Sequence, residues 1–470
     1  MTTFPEALAD FTDDELRTLI SLRPDAFYPA PPSVASLATR LALPGSAGRA
    51  LSQLTTPTIA LLERLGDAGA EFEPFDATGK EVTELLPALR ERALIYGPAN
   101  AVRVAPGVLS AMPQGWRVAD TAPDDVEELV AELPAAERRV LDTLSVSGGT
   151  GTTKAAAPDA DPNTPIARLI AKGLLVRANS STVRLPRPVR DVLRGYPPRS
   201  FPLEEPVALG VAQGDVDKHA ATQGLDAVRQ LRQLITSLLQ DPIPLNKDGS
   251  VGVRARTNLG KELGFDPALL ITIGESAGLI GRGNVDDVDT LGATRDCLTW
   301  LDATLSDQWA ILLAGWAASP WRLDTDAKLL SPDMRSPDAR TNRFTVLRQA
   351  GDVQRLFFYS PLSASRISPA FIEATAQEAQ FVGALDATPA QSSPLLTLLD
   401  GGDITAATRE LVPPPVNTLI AQADMTVLAP GPLEPEMGNF LERIAELESP
   451  GVASVWRITD ASCLLYTSPS

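Results

Sequence analysis

Histidine is nearly missing from this sequence: His219 is the only one in 470 residues. With only Cys297 and Cys463 beside it, a Cys/His metal cluster is excluded by count, and two cysteines imply no disulfide framework. A Ser-His-Asp site could form only through His219. That residue sits in VDKHAATQGLDAVRQLRQL, which reads as the start of a surface helix, where a solvated histidine is the simpler reading. Long hydrophobic runs are lacking too. The most apolar stretch, around Trp309 to Ala318, is too short to cross a bilayer. The opening MTTFPEALADF has neither the basic start nor the apolar run of a signal peptide, so a cytoplasmic chain away from membranes is expected. Positive charge is scarce: 41 basic against 59 acidic residues leave a net charge of -18. Such a chain repels DNA phosphate as a whole, so any nucleic-acid contact must be local.

What remains is a globular composition, 44% hydrophobic and 21% charged, on a chain long enough for three or so domains. Thr12-Asp13-Asp14-Glu15 predicts a capping box, with Leu16, Leu19 and Ile20 following at helical spacing and Pro24 ending the run. Two short helices are expected after the link YPAPP, over Ser33 to Leu43 and Ser46 to Leu54.

An internal repeat follows. Residues 86–112 align without gaps on residues 167–193: Leu89 matches Ile170, Ala93-Leu94-Ile95 matches Leu174-Leu175-Val176, and Val102-Arg103-Val104 matches Val183-Arg184-Leu185. Upstream, residues 54–65 resemble residues 133–144. Each copy reads as helix, variable segment, helix, strand, turn, strand, helix. In the second, Thr164-Pro165 starts a helix and Gly173 stops it. LLVRA and TVRLP are then short β runs about the turn NSS, the pattern of a winged helix-turn-helix. Residues 148–162, GGTGTTKAAAPDADP, read as a low-complexity loop where a second helix is expected.

A long helix at about 217 to 240 leads to a third candidate module. It has a turn at Asp248-Gly249, a helix ending at Gly264 and another ending at Gly278. From 284 to 412 the pattern is mainly helical; Ser306 is the expected cap of a helix whose Trp309, Leu312, Leu313 and Trp316 form a core face, not a stacking platform for bases. After PPP at 413, NTLIAQADMTVLAPGPL reads as a strand, EPEMGNFLERIAELES as an amphipathic helix and VASVWRITD as a second strand. The expected fold is therefore mainly α with small β wings (α+β). Its parts are a helical or winged-helix module (1–115), a second winged helix (116–200), a third helical or winged-helix module (201–283), a helical region (284–412) and a partial β-α-β domain (413–462).

Three stretches, residues 12–27, 163–195 and 422–462, together resemble bacterial helicase-associated proteins that carry a domain similar to the N-terminal domain of XPB-type DNA helicases, a family commonest in high-GC Gram-positive bacteria. The resemblance implies no ATPase motor, and a role in DNA binding or in attachment to helicase, repair or transcription proteins. It implies no catalytic residues. The last eight residues, CLLYTSPS, resemble a translated sequencing-library adaptor, so the natural chain is expected to continue past Ser462.

Chemical motifs are sparse. GGTGTTKAA has the look of a P-loop, but Thr153 precedes Lys154 and Ala155 follows it, so the G-x-x-x-x-G-K-[ST] requirement fails. Asp286, Asp287 and Asp289 read as solvated turn charges without EF-hand spacing. No cofactor is implied and no enzyme activity is expected. One local charge signal stands out: residues 134–195 hold ten basic and five acidic residues. Arg168 and Lys172, four apart on the candidate recognition helix, share a face. Arg177 and Arg184 fall in the wing strands, and Arg187 and Arg190 follow them. Their functional reading is phosphate contact with double-stranded DNA. The competing reading is a solvated basic face paired with acids elsewhere, on a protein-interaction scaffold. In the first copy Arg90 and Arg92 are offset by Glu81, Glu84 and Glu91, so that copy is expected to be structural or protein-facing.

Overall fold

The computed structural model describes residues 2–199, 201–207, 210–449 and 453–459, with the backbone alone at residues 81 and 439. The adaptor-like tail lies outside the described residues. The fold is α+β, helices with small sheets in which the strand pairs of the described residues are antiparallel. It divides into two compact units, Met1–Pro206 with Gln354–Arg366, and Val207–Val353 with Ile367–Ser470.

The first unit opens with five short helices, α1 (Phe4–Ala9), α2 (Asp13–Leu22), α3 (Pro24–Phe27), α4 (Val34–Leu41) and α5 (Pro44–Leu51). The predicted capping box forms. The Thr12 hydroxyl accepts from the Glu15 N–H, and the Glu15 carboxylate accepts from the Thr12 N–H at 2.8 Å. The first module then runs α6 (Thr56–Asp67), α7 (Lys80–Thr83), α8 (Leu86–Arg90), β1 (Ile95–Tyr96), β2 (Arg103–Val104) and α9 (Val108–Ala111). Phe75 adds a bridge to Val102, so β2 lies between Phe75 and β1. Arg90 and Arg92 donate to the carbonyls of Gly97 and Ala88.

The second module repeats the scheme. Its elements are α10 (Val126–Ala131), α11 (Ala135–Val146), β3 (Thr150–Thr152), a 3-10 turn (Lys154–Ala156), α12 (Pro165–Ala171), β4 (Val176–Arg177), β5 (Thr182–Arg184) and α13 (Arg187–Leu193). Its sheet order is β3-β5-β4. As the sequence predicts, Thr164 caps α12 by accepting from the Ala167 N–H at 3.2 Å, and Gly173 ends it at φ +70. The low-complexity segment is a correction. It is not a loop throughout, because Gly148 and Gly149, both at positive φ, turn the chain so that residues 150–152 pair with β5. Leu141, Leu169, Leu175, Val183, Leu185 and Val189 make the module's core.

In the second unit α14 (Gln213–Gln240), β6 (Ile243–Pro244), α15 (Val253–Leu263), α16 (Ala268–Ser276), β7 (Ile280–Val285) and β8 (Val288–Ala293) follow the same order, and the sheet is β6-β8-β7. Helix, strand, two helices and a hairpin whose second strand is central thus recur in the third module. The hairpin lies across residue 284, where a helical region was expected to begin. Its tip, Asp286-Asp287, has both residues at positive φ, as a two-residue hairpin loop requires.

Helices α17 (Asp296–Leu301), α18 (Leu305–Ala318) and α19 (Ala339–Leu347) come next, then α20 (Val353–Tyr359) and α21 (Pro361–Ala364), most of which belongs with the first unit. Helices α22 (Pro369–Phe381), α23 (Ser393–Leu399) and α24 (Ile404–Leu411) complete the region. Thr304, not Ser306, caps α18; Ser306 lies inside the first turn and shares a hydrogen bond with the Thr304 hydroxyl. Trp309, Leu312, Leu313 and Trp316 are buried as a core face, and the Trp309 indole donates to the Val382 carbonyl at 2.9 Å.

The last segment contains β9 (Ile420–Ala421), β10 (Thr426–Ala429), α25 (Pro435–Ile444), β11 (Glu446–Ser449) and β12 (Ser454–Arg457), in the sheet order β11-β12-β10-β9. The expected β-α-β is therefore a β-β-α-β-β arrangement. The first expected strand folds back at Met425, which takes positive φ, and the end of the expected helix, ELES, is a strand. Val427, Leu441 and Ala445 form its small core.

Candidate nucleic-acid interface

The second module brings the six predicted arginines and lysines together but spends much of their charge internally. Glu137, on α11, is buried, with only 2% of its side chain exposed. It receives Arg168 Nε at 2.7 Å and Lys172 Nζ at 2.8 Å. The Lys172 ammonium, then the Arg168 guanidinium, hold its carboxyl below the usual range despite burial. Arg168 and Lys172 nonetheless keep 45% and 36% of their side chains exposed, so both can reach a ligand without leaving the fold. Arg168 is on α12, and Lys172 caps its C-terminal end.

Arg177, on β4, is exposed and donates through Nε to the Ala156 carbonyl at 2.6 Å. Arg184, on β5, is buried against the buried Asp120 carboxylate. Arg187 is buried at the start of α13, its guanidinium 5.0 to 5.3 Å from the ring centroids of Trp116, Phe201 and Phe357. Burial pushes its pKa down to about 10, which leaves it charged at neutral pH. Arg190 is half-buried and donates to the carbonyls of Gly115 at 2.9 Å and Gly148 at 3.1 Å. The six residues therefore separate: Arg168, Lys172 and Arg177 are open to solvent in part or whole, while Arg184, Arg187 and Arg190 tie the module together. Arg139, Lys154 and Arg194 of the same module are also exposed.

Sequence reasoning missed this division because its cause is long-range. Glu137 precedes Arg168 by 31 positions, and Asp120 precedes Arg184 by 64. The arginine-aromatic cluster draws on Trp116, Phe201 and Phe357, which no local pattern connects.

The C-terminal β-β-α-β-β segment is anchored in its own unit. Arg232 on α14 pairs with Glu442 on α25 at 3.3 Å and donates to the Leu301 carbonyl. Beside this pair lies a cleft of about 280 Å³ with Arg229, Leu433 and Trp456 in its walls. Gln308 also lines it, donating through Nε2 to three backbone carbonyls. Among the described residues no group of His, Cys, Asp and Glu is arranged to hold a metal ion, and no helix is long and apolar enough to cross a membrane. His219 is half-exposed on α14, 3.8 Å from Asp386.

Residues 419–465, which contain this segment, match a family described as a helicase conserved C-terminal domain. No curated protein matches the chain. A helicase-type domain is thus present at the C-terminal end of the sequence, and the chain is helicase-associated at that level.

Proposed function

We propose that this chain is a non-catalytic, helicase-associated protein that binds duplex DNA through phosphate contacts of its second module. The observation that carries this reading is the coincidence of a helicase-type domain with a net-basic module of helix, strand, turn, helix and hairpin. The sheet order β3-β5-β4 supports a winged helix whose second helix is reduced to a 3-10 turn, with α12 as the groove-facing helix. Arg168, Lys172 and Arg177 contact phosphate; Arg184, Arg187 and Arg190 hold the hairpin and α13 in place. The resemblance to XPB-type proteins adds attachment to repair or transcription machinery in the cytoplasm.

Fluorescence anisotropy of a labelled duplex with the intact chain tests the reading. Changing Arg168, Lys172 and Arg177 together to Ala weakens binding at least tenfold at low salt; because the buried Glu137 then loses both of its cations, the comparison is made at a temperature where melting shows the variant still folded. One observation favours a protein scaffold instead: Glu137 already neutralises part of the basic face through Arg168 and Lys172. Partner capture by a chain that leaves the duplex anisotropy flat selects that reading.

A further inference from the structure

The second unit is the acidic one, with 18 basic and 32 acidic residues against 23 and 27 in the first. Within it, one surface has the opposite character. Arg254, Thr257, Asn258 and Lys261 on α15 are spaced i, i+3, i+4 and i+7, so they share one helix face, and all four are exposed. The acids nearby in sequence are already engaged: Asp266 with Arg256, Asp248 with Lys328, and Glu262 with the Ser237 hydroxyl. Arg254, Lys261 and the exposed Lys247 have no ion-pair partner among the described residues. This inverts the second module, where buried acids claim the cations. The N-terminal turn of α15 has no side-chain cap, which adds partial positive charge at the Lys247 end.

The third module also differs in which helix it offers. No residue of α16 is exposed, and Leu270, Ile271 and Ile273 are buried in the unit's core, so α16 cannot enter a groove. The preceding helix is a single 3-10 turn in the second module, but here it is the 11-residue α15. Arg254 and Lys261 lie about 10 Å apart along its axis, close to the roughly 12 Å width of a B-DNA major groove.

We propose that this face of α15 is a second duplex-DNA contact, with Arg254 and Lys261 on phosphates of the two strands and the Asn258 amide donating between them, beside a Thr257 hydroxyl that donates to the Val253 carbonyl at 2.8 Å and so offers an acceptor. The proposal rests on the DNA-binding reading above. Its test is the salt dependence of duplex binding by the intact chain, compared among R254A/K261A, the charge-preserving R254K/K261R, and the triple change at Arg168, Lys172 and Arg177. Each phosphate contact contributes about 0.9 to the slope of log K against log salt. The expected result is a slope reduced by roughly 1.8 in R254A/K261A, with melting unchanged and the slope retained in R254K/K261R. A slope unchanged in R254A/K261A but reduced by the triple change overturns this inference while leaving the DNA reading intact. An equal loss in R254K/K261R also overturns it, because it marks damage to α15. If the intact chain fails to bind duplex even at low salt, both readings fall.

Discussion

Glu137 sets how much positive charge the second module can offer, because it holds Arg168 and Lys172 at once. Replacing it by Gln removes the charge but keeps the shape. If the two cations meet phosphate, Glu137→Gln tightens duplex binding several-fold at low salt, at a stability cost of about 1 kcal/mol for a partly exposed network. Anisotropy with urea unfolding measures both, and unchanged affinity would remove Arg168 and Lys172 from the interface. The Arg184–Asp120 pair is different. Both partners are buried, so Arg184→Ala leaves an unpaired carboxylate and costs about 3–5 kcal/mol. Its effect on binding then follows its effect on folding.

Glu63 on α6 supplies a pH signature at the same scale. Burial pushes its carboxyl up to about 7, even though it accepts from the Val118 and Ala119 N–H groups. A folded pKa above the unfolded one means the folded protein binds the extra proton. This group's contribution is full below the unfolded pKa and lost as pH rises through about 7. Urea titrations at stepped pH should show stability from this source falling across roughly pH 4.5 to 7, and Glu63→Gln should flatten that window.

Among the elements, the legible ones carry local chemistry. Thr12 with Glu15, Thr164 with Pro165, and Gly173, Gly264 and Gly278 marked helix ends, because caps and left-handed stops act over four residues. The repeat was legible because its hydrophobic positions recur at one offset. Hairpin β7-β8 was not: GRGNVDDVDT has turn-forming residues throughout, and much of both strands is exposed, so no alternation of apolar residues announces them. β3 hides in a Gly/Thr run for the same reason, its pairing with β5 supplied by Thr182, Val183 and Arg184, far along the chain. The crossing of α14 and α18 depends on Gly224, where a methyl group would run into the Trp309 ring. Gly224→Ala should destabilise by about 1–3 kcal/mol despite alanine's better helix propensity, as thermal or urea melting would record. A neutral or stabilising result would contradict that close approach.

For the whole molecule, charge is distributed unevenly, and the distribution limits what binding can look like. The net charge of -18 predicts weak non-specific attraction to DNA, confined to the basic faces and erased by moderate salt. The candidate site was legible as a net count over residues 134–195, yet which cations stay available depended on Glu137, Asp120 and the aromatic cluster around Arg187, all contacts that only folding creates. Whether the second module binds duplex DNA through phosphate is read from the salt dependence of binding by the intact chain. With phosphate on the second module, log K falls linearly with log salt, and the slope shrinks by about 2.7 when Arg168, Lys172 and Arg177 become Ala. Absence of binding at low salt, or a slope indifferent to those three changes, would contradict that placement.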